Sequence, residues 1–136
     1  MSGSQTGRVG VLVVENDREM LKSIRGSLRA HGYRAEQVAT GQEALARLRR
    51  EDFVAVVANL SLARMHDLDL VQEIQRLAGF RPWVMYTGVP EPSAARWRAE
   101  RGVFCILMKG TPLRDLLWSV EEACRTASRV GQARCA

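Results

Sequence analysis

Hydrophobic and polar positions along the chain follow two alternating patterns, one typical of buried strands and one of amphipathic helices. Apolar runs at 9–14, 54–58, 82–87 and 103–108 predict strands that are covered on both faces, and a shorter strand is predicted near 34–38. Between the runs, apolar residues recur every three or four positions, which is the spacing of one helix face. The chain therefore alternates between short strands and helices.

Each predicted strand is followed by a predicted helix. The inner faces of four of them are expected to carry Met20, Leu21, Ile24 and Leu28; then Ala44, Leu45 and Leu48; then Leu70, Val71, Ile74 and Leu77; and, in the last helix, Leu113, Leu116, Leu117, Val120 and Cys124. The fourth predicted helix, 92–101, has a weaker apolar pattern. Thr40 and Glu43 have the spacing of a capping box, and Gly32 provides a stop after the first helix. Five such units predict an α/β fold with a parallel sheet and helices on both faces.

Polar side chains gather where the predicted strands end. In parallel sheets of this kind, the functional site lies beyond the carboxyl ends of the strands. The residues at those ends are Glu15 and Asn16 after the first strand, Asn59 after the third, Thr87 after the fourth and Lys109 after the fifth. We therefore expect these five side chains to form the candidate site.

The fragments VLVVEND, VVANLSL, WVMYTG and CILMKG carry a family resemblance. In this order and at these intervals, they resemble the receiver domain of bacterial response regulators, from about Val9 to Ala123. The resemblance implies a doubly wound, flavodoxin-like (β/α)5 fold with strand order 2-1-3-4-5. In that family, an aspartate that ends the third strand takes a phosphoryl group from a histidine kinase. Paired acids and that aspartate hold Mg²⁺, while Thr and Lys bind the phosphoryl oxygens.

On this sequence, Asn59 falls on the phosphoacceptor position of the family. Glu15 and Asn16 match the paired acids, and Thr87 and Lys109 match the phosphoryl-binding residues. A carboxamide has no carboxylate oxygen with which to form an acyl phosphate. Mg²⁺ prefers anionic oxygens, so we expect it to bind weakly or not at all. We expect Lys109 to hydrogen-bond Asn59 or Glu15.

Other positions also depart from the family pattern. Ile106 stands where the family has its switch aromatic, and Gly110 stands where a proline with a cis peptide usually follows the lysine; we expect a trans peptide here. Asn59 has a simpler interpretation as a strand-end residue satisfied by backbone groups, but such an asparagine cannot accept phosphoryl either. For Asp17, offsetting the dipole at the start of a helix is the better explanation.

These observations predict an atypical receiver in two-component or phosphorelay signalling that is not an enzyme, needs no phosphorylation and acts by protein–protein interaction. The expected partner is a histidine kinase, another regulator or a second copy of the chain, which would form a homodimer. Docking is predicted on the fourth helix, fifth strand and fifth helix, where Trp97 and Trp118 are candidate anchors.

Two alternatives stay open. The chain could be a functional phosphoryl acceptor through another residue, although Asp67 and Asp69 look remote. Asn59 could also replace a natural aspartate, against which Asn16, Ile106 and Gly110 argue. A cofactor enzyme on this fold would need a first turn rich in Gly, Ser or Thr, whereas the sequence there is ENDRE.

The composition of the chain limits the expected partners and the expected cellular location. The chain has 136 residues and a net charge of +5, but its arginines are dispersed and no nucleic-acid motif accompanies them, so direct nucleic-acid binding is not expected. Three widely spaced cysteines predict neither a metal site nor a disulfide framework. With no signal peptide or membrane-length apolar run, a cytoplasmic location is expected. The predicted domain covers 9–126, between flexible ends at 1–8 and 127–136, and a larger parent regulator stays open.

Overall fold

A five-stranded sheet forms the centre of the computed structural model, which describes residues 9–59, 69–78, 81–88 and 103–135. The strands are β1 (Val9–Val14), β2 (Tyr33–Val38), β3 (Ala55–Asn59), β4 (Trp83–Thr87) and β5 (Val103–Met108). All neighbouring strands are parallel, in the order β2-β1-β3-β4-β5. The predicted α/β topology and strand order are confirmed.

Four helices connect or flank the strands in the described ranges: α1 (Arg18–Ala30), α2 (Gly41–Arg50), α3 (Asp69–Ala78) and α4 (Leu113–Cys135). Helix α4 is the last of the five predicted helices and continues past residue 126, where the domain was predicted to end. The predicted fourth helix, 92–101, lies outside the described residues, as does Trp97. Within the described ranges, no helix combines the length and the apolar character needed to cross a membrane.

The sheet separates two hydrophobic cores. Alternate residues of each strand point to opposite faces, so Leu12 packs on one side and Val13 on the other. Helices α2 and α3 cover the first core and contribute Ala44, Leu48 and Ile74. Helices α1 and α4 cover the second core with Ile24, Leu28, Leu116, Leu117 and Val120. Each fully buried Leu or Ile contributes about 1.5–3 kcal/mol relative to exposure, so these faces hold the helices to the sheet.

Polar caps begin two of the helices. Asp17 Oδ1 accepts hydrogen bonds from the backbone N–H groups of Glu19 at 3.0 Å and Met20 at 3.4 Å, which confirms its structural role at the start of α1. Thr40 Oγ1 accepts from the Glu43 N–H at 3.1 Å, and Glu43 Oε1 accepts from the Ala39 N–H at 3.3 Å. The predicted capping box is therefore present, except that Glu43 accepts from the N–H of Ala39 and not from that of Thr40.

The prediction for Leu77 was wrong, because its side chain is 40% exposed. Ile74 and Ala78, which are four residues apart, pack against the α2–α3 core instead. Residues at this spacing share one face of a helix, and Leu77, about 100° around the helix from Ala78, lies at the edge of that face and is exposed.

Two glycines of the first helical unit should respond in opposite ways to alanine. Gly32 follows α1 with φ = +88°, a conformation that costs other residues about 1–2 kcal/mol. Gly26 lies inside α1, and a Cβ there would meet no atom within 4 Å. In urea unfolding followed by circular dichroism, Gly32→Ala should lower the free energy of unfolding by about 1–2 kcal/mol, and Gly26→Ala should raise it by up to about 1 kcal/mol. Shifts of the same sign would contradict this assignment.

Candidate functional site

Buried polar side chains meet at the carboxyl edge of the sheet. Glu15, Asn59 and Thr87 end or directly follow β1, β3 and β4, which are consecutive in the sheet, and all three are buried. The structure therefore places three of the five predicted strand-end residues, Glu15, Asn59 and Thr87, in buried positions at one edge of the sheet. Asn16, the next residue of the predicted set, is exposed to solvent.

The carboxylate of Glu15 is fully buried, and both of its oxygens accept hydrogen bonds. Oε2 accepts from the backbone N–H groups of Asn16 at 2.9 Å and Asp17 at 2.8 Å. Oε1 accepts from the hydroxyl of Tyr86 on β4. Bonds to an ionised acceptor are about twice as strong as neutral ones, so this network holds the carboxylate in place.

The bond between Tyr86 and Glu15 passes across the end of β3. Strand β3 lies between β1 and β4, which places β1 and β4 about 10 Å apart. Val57 and Val84 belong to the α1–α4 core, so Asn59 and Tyr86, two positions farther along, extend from the same face of the sheet. Asn59 is also the register partner of Tyr86. The buried bond thus spans the strand end that carries Asn59.

The surroundings of Tyr86 keep its hydroxyl protonated. Burial raises the pKa of Tyr86 well above its usual range, and the hydrogen bond to Glu15 and the negative charges of Glu15 and Asp17 raise it further. A phenol with a raised pKa keeps its proton throughout the neutral range. Tyr86 therefore acts as a permanent donor to Glu15.

The side-chain oxygen atoms at this edge do not suit Mg²⁺, the ion that the family resemblance implied. Mg²⁺ binds through carboxylates in near-ideal octahedral geometry. Glu15 carries the one buried carboxylate among the described residues and already accepts hydrogen bonds from three protein donors, whereas Asn16 and Asn59 carry only neutral amides. No cluster of three His, Cys, Asp or Glu side chains that could hold a metal is found in the described part of the chain.

Lys109 differs from its prediction. Its backbone N–H donates to the Thr87 carbonyl oxygen at 2.8 Å, which joins the ends of β4 and β5, but its side chain is exposed. No hydrogen bond from the ammonium to Glu15 or Asn59 is present among the described residues. Tyr86 and the two backbone amides already supply the donors that Glu15 needs. The peptide that joins Lys109 to Gly110 is trans, as expected.

The remaining candidates lie away from Glu15. Ile106 is half-buried and packs against the α2–α3 core. Trp118, on α4, is 61% exposed. Tyr86 was not among the predicted site residues. The sequence did contain a signal for it, because a tyrosine in an otherwise apolar buried strand needs a partner for its hydroxyl.

Comparisons with known proteins agree with this geometry. Residues 11–121 match the family model described as "Response regulator receiver domain". The chain is 28% identical over 116 residues to the transcriptional regulatory protein GlrR of Escherichia coli, covering 83% of this chain and 26% of GlrR. It is also 28% identical over 109 residues to the response regulator MprA of Mycolicibacterium vanbaalenii, covering 80% of this chain and 47% of MprA.

A solved structure shares the fold. The CheY-like response regulator receiver domain protein of Methanospirillum hungatei superposes with a TM-score of 0.79 at 25% identity, covering 90% of this chain and 98% of that one. Both curated relatives are longer than this chain, which spans about a quarter of GlrR and about half of MprA.

Removal of the Tyr86 hydroxyl tests the buried network. Tyr86→Phe leaves a buried carboxylate oxygen without its donor, so the free energy of unfolding should fall by about 1–3 kcal/mol. Tyr33→Phe is the matched control: Tyr33 is half-buried, its hydroxyl makes no hydrogen bond within the described ranges, and the change should stay within about 0.5 kcal/mol. Chemical denaturation measures both. Equal losses in the two variants would refute the importance of the bond.

Proposed function

This chain belongs to the response regulator receiver domain family of two-component signalling, and we propose that it transmits its signal by protein binding without being phosphorylated. The observation that carries the proposal is the carboxyl edge of the sheet. An amide ends the central strand there, and the neighbouring carboxylate is fully engaged inside the protein.

Asn59 occupies the position that accepts the phosphoryl group in typical receivers. It is the last residue of β3 and it is buried. Acyl phosphate formation requires a carboxylate oxygen as nucleophile, and the lone pair of an amide nitrogen is delocalised into its carbonyl. The position therefore cannot be phosphorylated on oxygen as an aspartate is.

Glu15 supports the same conclusion from the acidic side of the site. A carboxylate has about four lone-pair sites, and three of those on Glu15 already accept hydrogen bonds, one on Oε1 from Tyr86 and two on Oε2 from backbone amides. A Mg²⁺ ion at Oε1 would compete with the Tyr86 hydroxyl for this oxygen, and displacement of the hydroxyl would leave a buried donor unsatisfied. The loss of a buried hydrogen bond of this kind costs about 1–3 kcal/mol, which opposes metal binding.

A further position of the family's phosphorylation switch also differs in this chain. Ile106 is aliphatic where the family has its switch aromatic, and the Lys109 side chain is exposed. Thr87 keeps the family's residue and is buried, but the acceptor and the switch aromatic are both replaced. We also propose that the domain covers residues 9–126 and that the protein is located in the cytoplasm.

The proposed docking surface is the exposed side of α4 and β5. Trp118 and Met108 are both exposed large apolar residues, at 61% and 43%. Tryptophan is enriched among the residues that dominate binding energy at protein interfaces. A histidine kinase, another regulator or a second copy of this chain is the expected partner, and Trp97 is a further candidate anchor.

The absence of phosphorylation can be tested with a small phosphodonor such as acetyl phosphate in the presence of Mg²⁺. The unchanged chain should take up no acid-labile phosphate by mass spectrometry, because Asn59 offers no nucleophile. A single Asn59→Asp variant should react poorly, since Glu15 remains bonded to Tyr86. A triple variant with Asn16→Asp, Asn59→Asp and Tyr86→Phe restores the acids and releases Glu15, so it should bind Mg²⁺ and react fastest.

Two outcomes would count against this account. Stoichiometric phosphorylation of the unchanged chain would refute phosphorylation independence and favour an acceptor elsewhere. A single Asn59→Asp variant that reacts as fast as the triple variant would show an otherwise intact site and would contradict the role given to the Glu15–Tyr86 bond.

The docking surface can be tested by substitution of its exposed tryptophan. Trp118→Ala should weaken capture of a partner protein, or self-association in sedimentation, by at least about tenfold, because interface tryptophans often account for 2 kcal/mol or more of binding. Leu77→Ala is the matched control, since Leu77 is also an exposed large apolar residue but lies on α3. Equal weakening by both variants would exclude a surface centred on α4.

A further inference from the structure

A basic groove runs along the solvent side of α1, from Arg18 at the start of the helix, near the carboxyl edge of the sheet, to Arg29 in its last turn. Its volume is about 420 Å³, and its lining consists of Arg18, Leu21, Lys22, Arg25, Gly26 and Arg29. The four cations are spaced at intervals of four, three and four residues, which places them on one helix face. This face extends for about 16 Å along the helix axis.

The cations of this groove do not form the ion pairs that several other arginines form within the described residues. Arg34, Arg47 and Arg76 all form ion pairs with glutamates. By contrast, none of the four groove cations forms an ion pair with a residue in the described ranges. Arg29 donates one bond, from Nη2 to the Ala35 carbonyl oxygen at 3.4 Å. The groove therefore keeps nearly all of its positive charge for an external partner.

Arg25 supplies a more specific observation. Its Nε atom is buried, yet it has no hydrogen-bond partner within the described part of the structure. Buried donors are nearly always satisfied in folded proteins, and an exception calls for an explanation such as a missing ion. Arg25 also lines the groove, so its guanidinium keeps hydrogen-bonding capacity for an acceptor that binds there.

Gly26 keeps the groove open. A Cβ at this position would meet no atom within 4 Å, so packing does not require glycine here. Glycine inside a helix is less favourable than alanine. The helix therefore carries an unfavourable residue at the point where a larger side chain would fill the groove.

We propose that this groove binds a small ligand with two or more linked phosphates, such as a nucleoside triphosphate or an inorganic oligophosphate. Its volume lies within the range of small-molecule sites. The arginine fork matches phosphate oxygens in a bidentate manner, and four cations can neutralise several linked phosphates.

The test uses the full chain and isothermal titration calorimetry with inorganic triphosphate and with ATP. Arg25→Gln should weaken binding about tenfold, because it removes a charge-assisted fork. Gly26→Leu keeps the net charge but fills the groove, and it should weaken binding at least as much. Arg49→Gln is the control: Arg49 is exposed on α2 and lies outside the groove, so binding should change by less than about twofold.

Circular dichroism should show that all three variants keep the native fold. If neither ligand binds the unchanged chain, the proposal is refuted. It is also refuted if Arg49→Gln weakens binding as much as Arg25→Gln, because net charge alone would then explain the binding. Tighter binding of an acidic peptide or a short single-stranded oligonucleotide that depends on Arg25 would replace the small ligand with that class of partner.

Discussion

A buried carboxylate must find donors inside the protein, and Glu15 imposes this requirement on the whole carboxyl edge of the sheet. Its donors come from two places: the backbone at the start of α1 and the hydroxyl of Tyr86 on β4. The last donor lies 71 residues away in the sequence and crosses the end of β3. One ionised group thus joins β1, β4 and the first helix, and it determines which atoms remain available around Asn59.

This constraint gives a physical reason for an asparagine at the end of β3. Asn59 and Glu15 extend from the same face of neighbouring strands. Two carboxylates that share a buried site cannot both ionise without a cation between them. A neutral amide at Asn59 avoids this repulsion and leaves the Tyr86 hydroxyl as the side-chain donor to Glu15. The amide of Asn59 and the hydroxyl of Tyr86 are therefore compatible with the same arrangement of Glu15.

Much of the fold was predictable because its determinants are local. Apolar runs marked the buried strands, and Asp17 and Thr40 marked the starts of helices. The failures have physical causes. Leu77 fits the helical period, but only packing decides which side of a wide apolar stripe meets the sheet. Lys109 was expected to hydrogen-bond Asn59 or Glu15, but its side chain is exposed and Tyr86, a donor distant in the sequence, bonds Glu15 instead.

The two surfaces proposed for binding lie on neighbouring helices. Helices α1 and α4 both cover the second core, so the basic groove and the exposed Trp118 stand on elements that pack together. A ligand at one surface changes affinity at the other only if it binds two conformations unequally. The start of α1 is anchored through Asp17 to Glu15 and thereby to Tyr86. This anchored start opposes a shift of α1 against the sheet, so a bound anion would alter docking mainly through its charge, which is screened within about 8 Å at physiological salt.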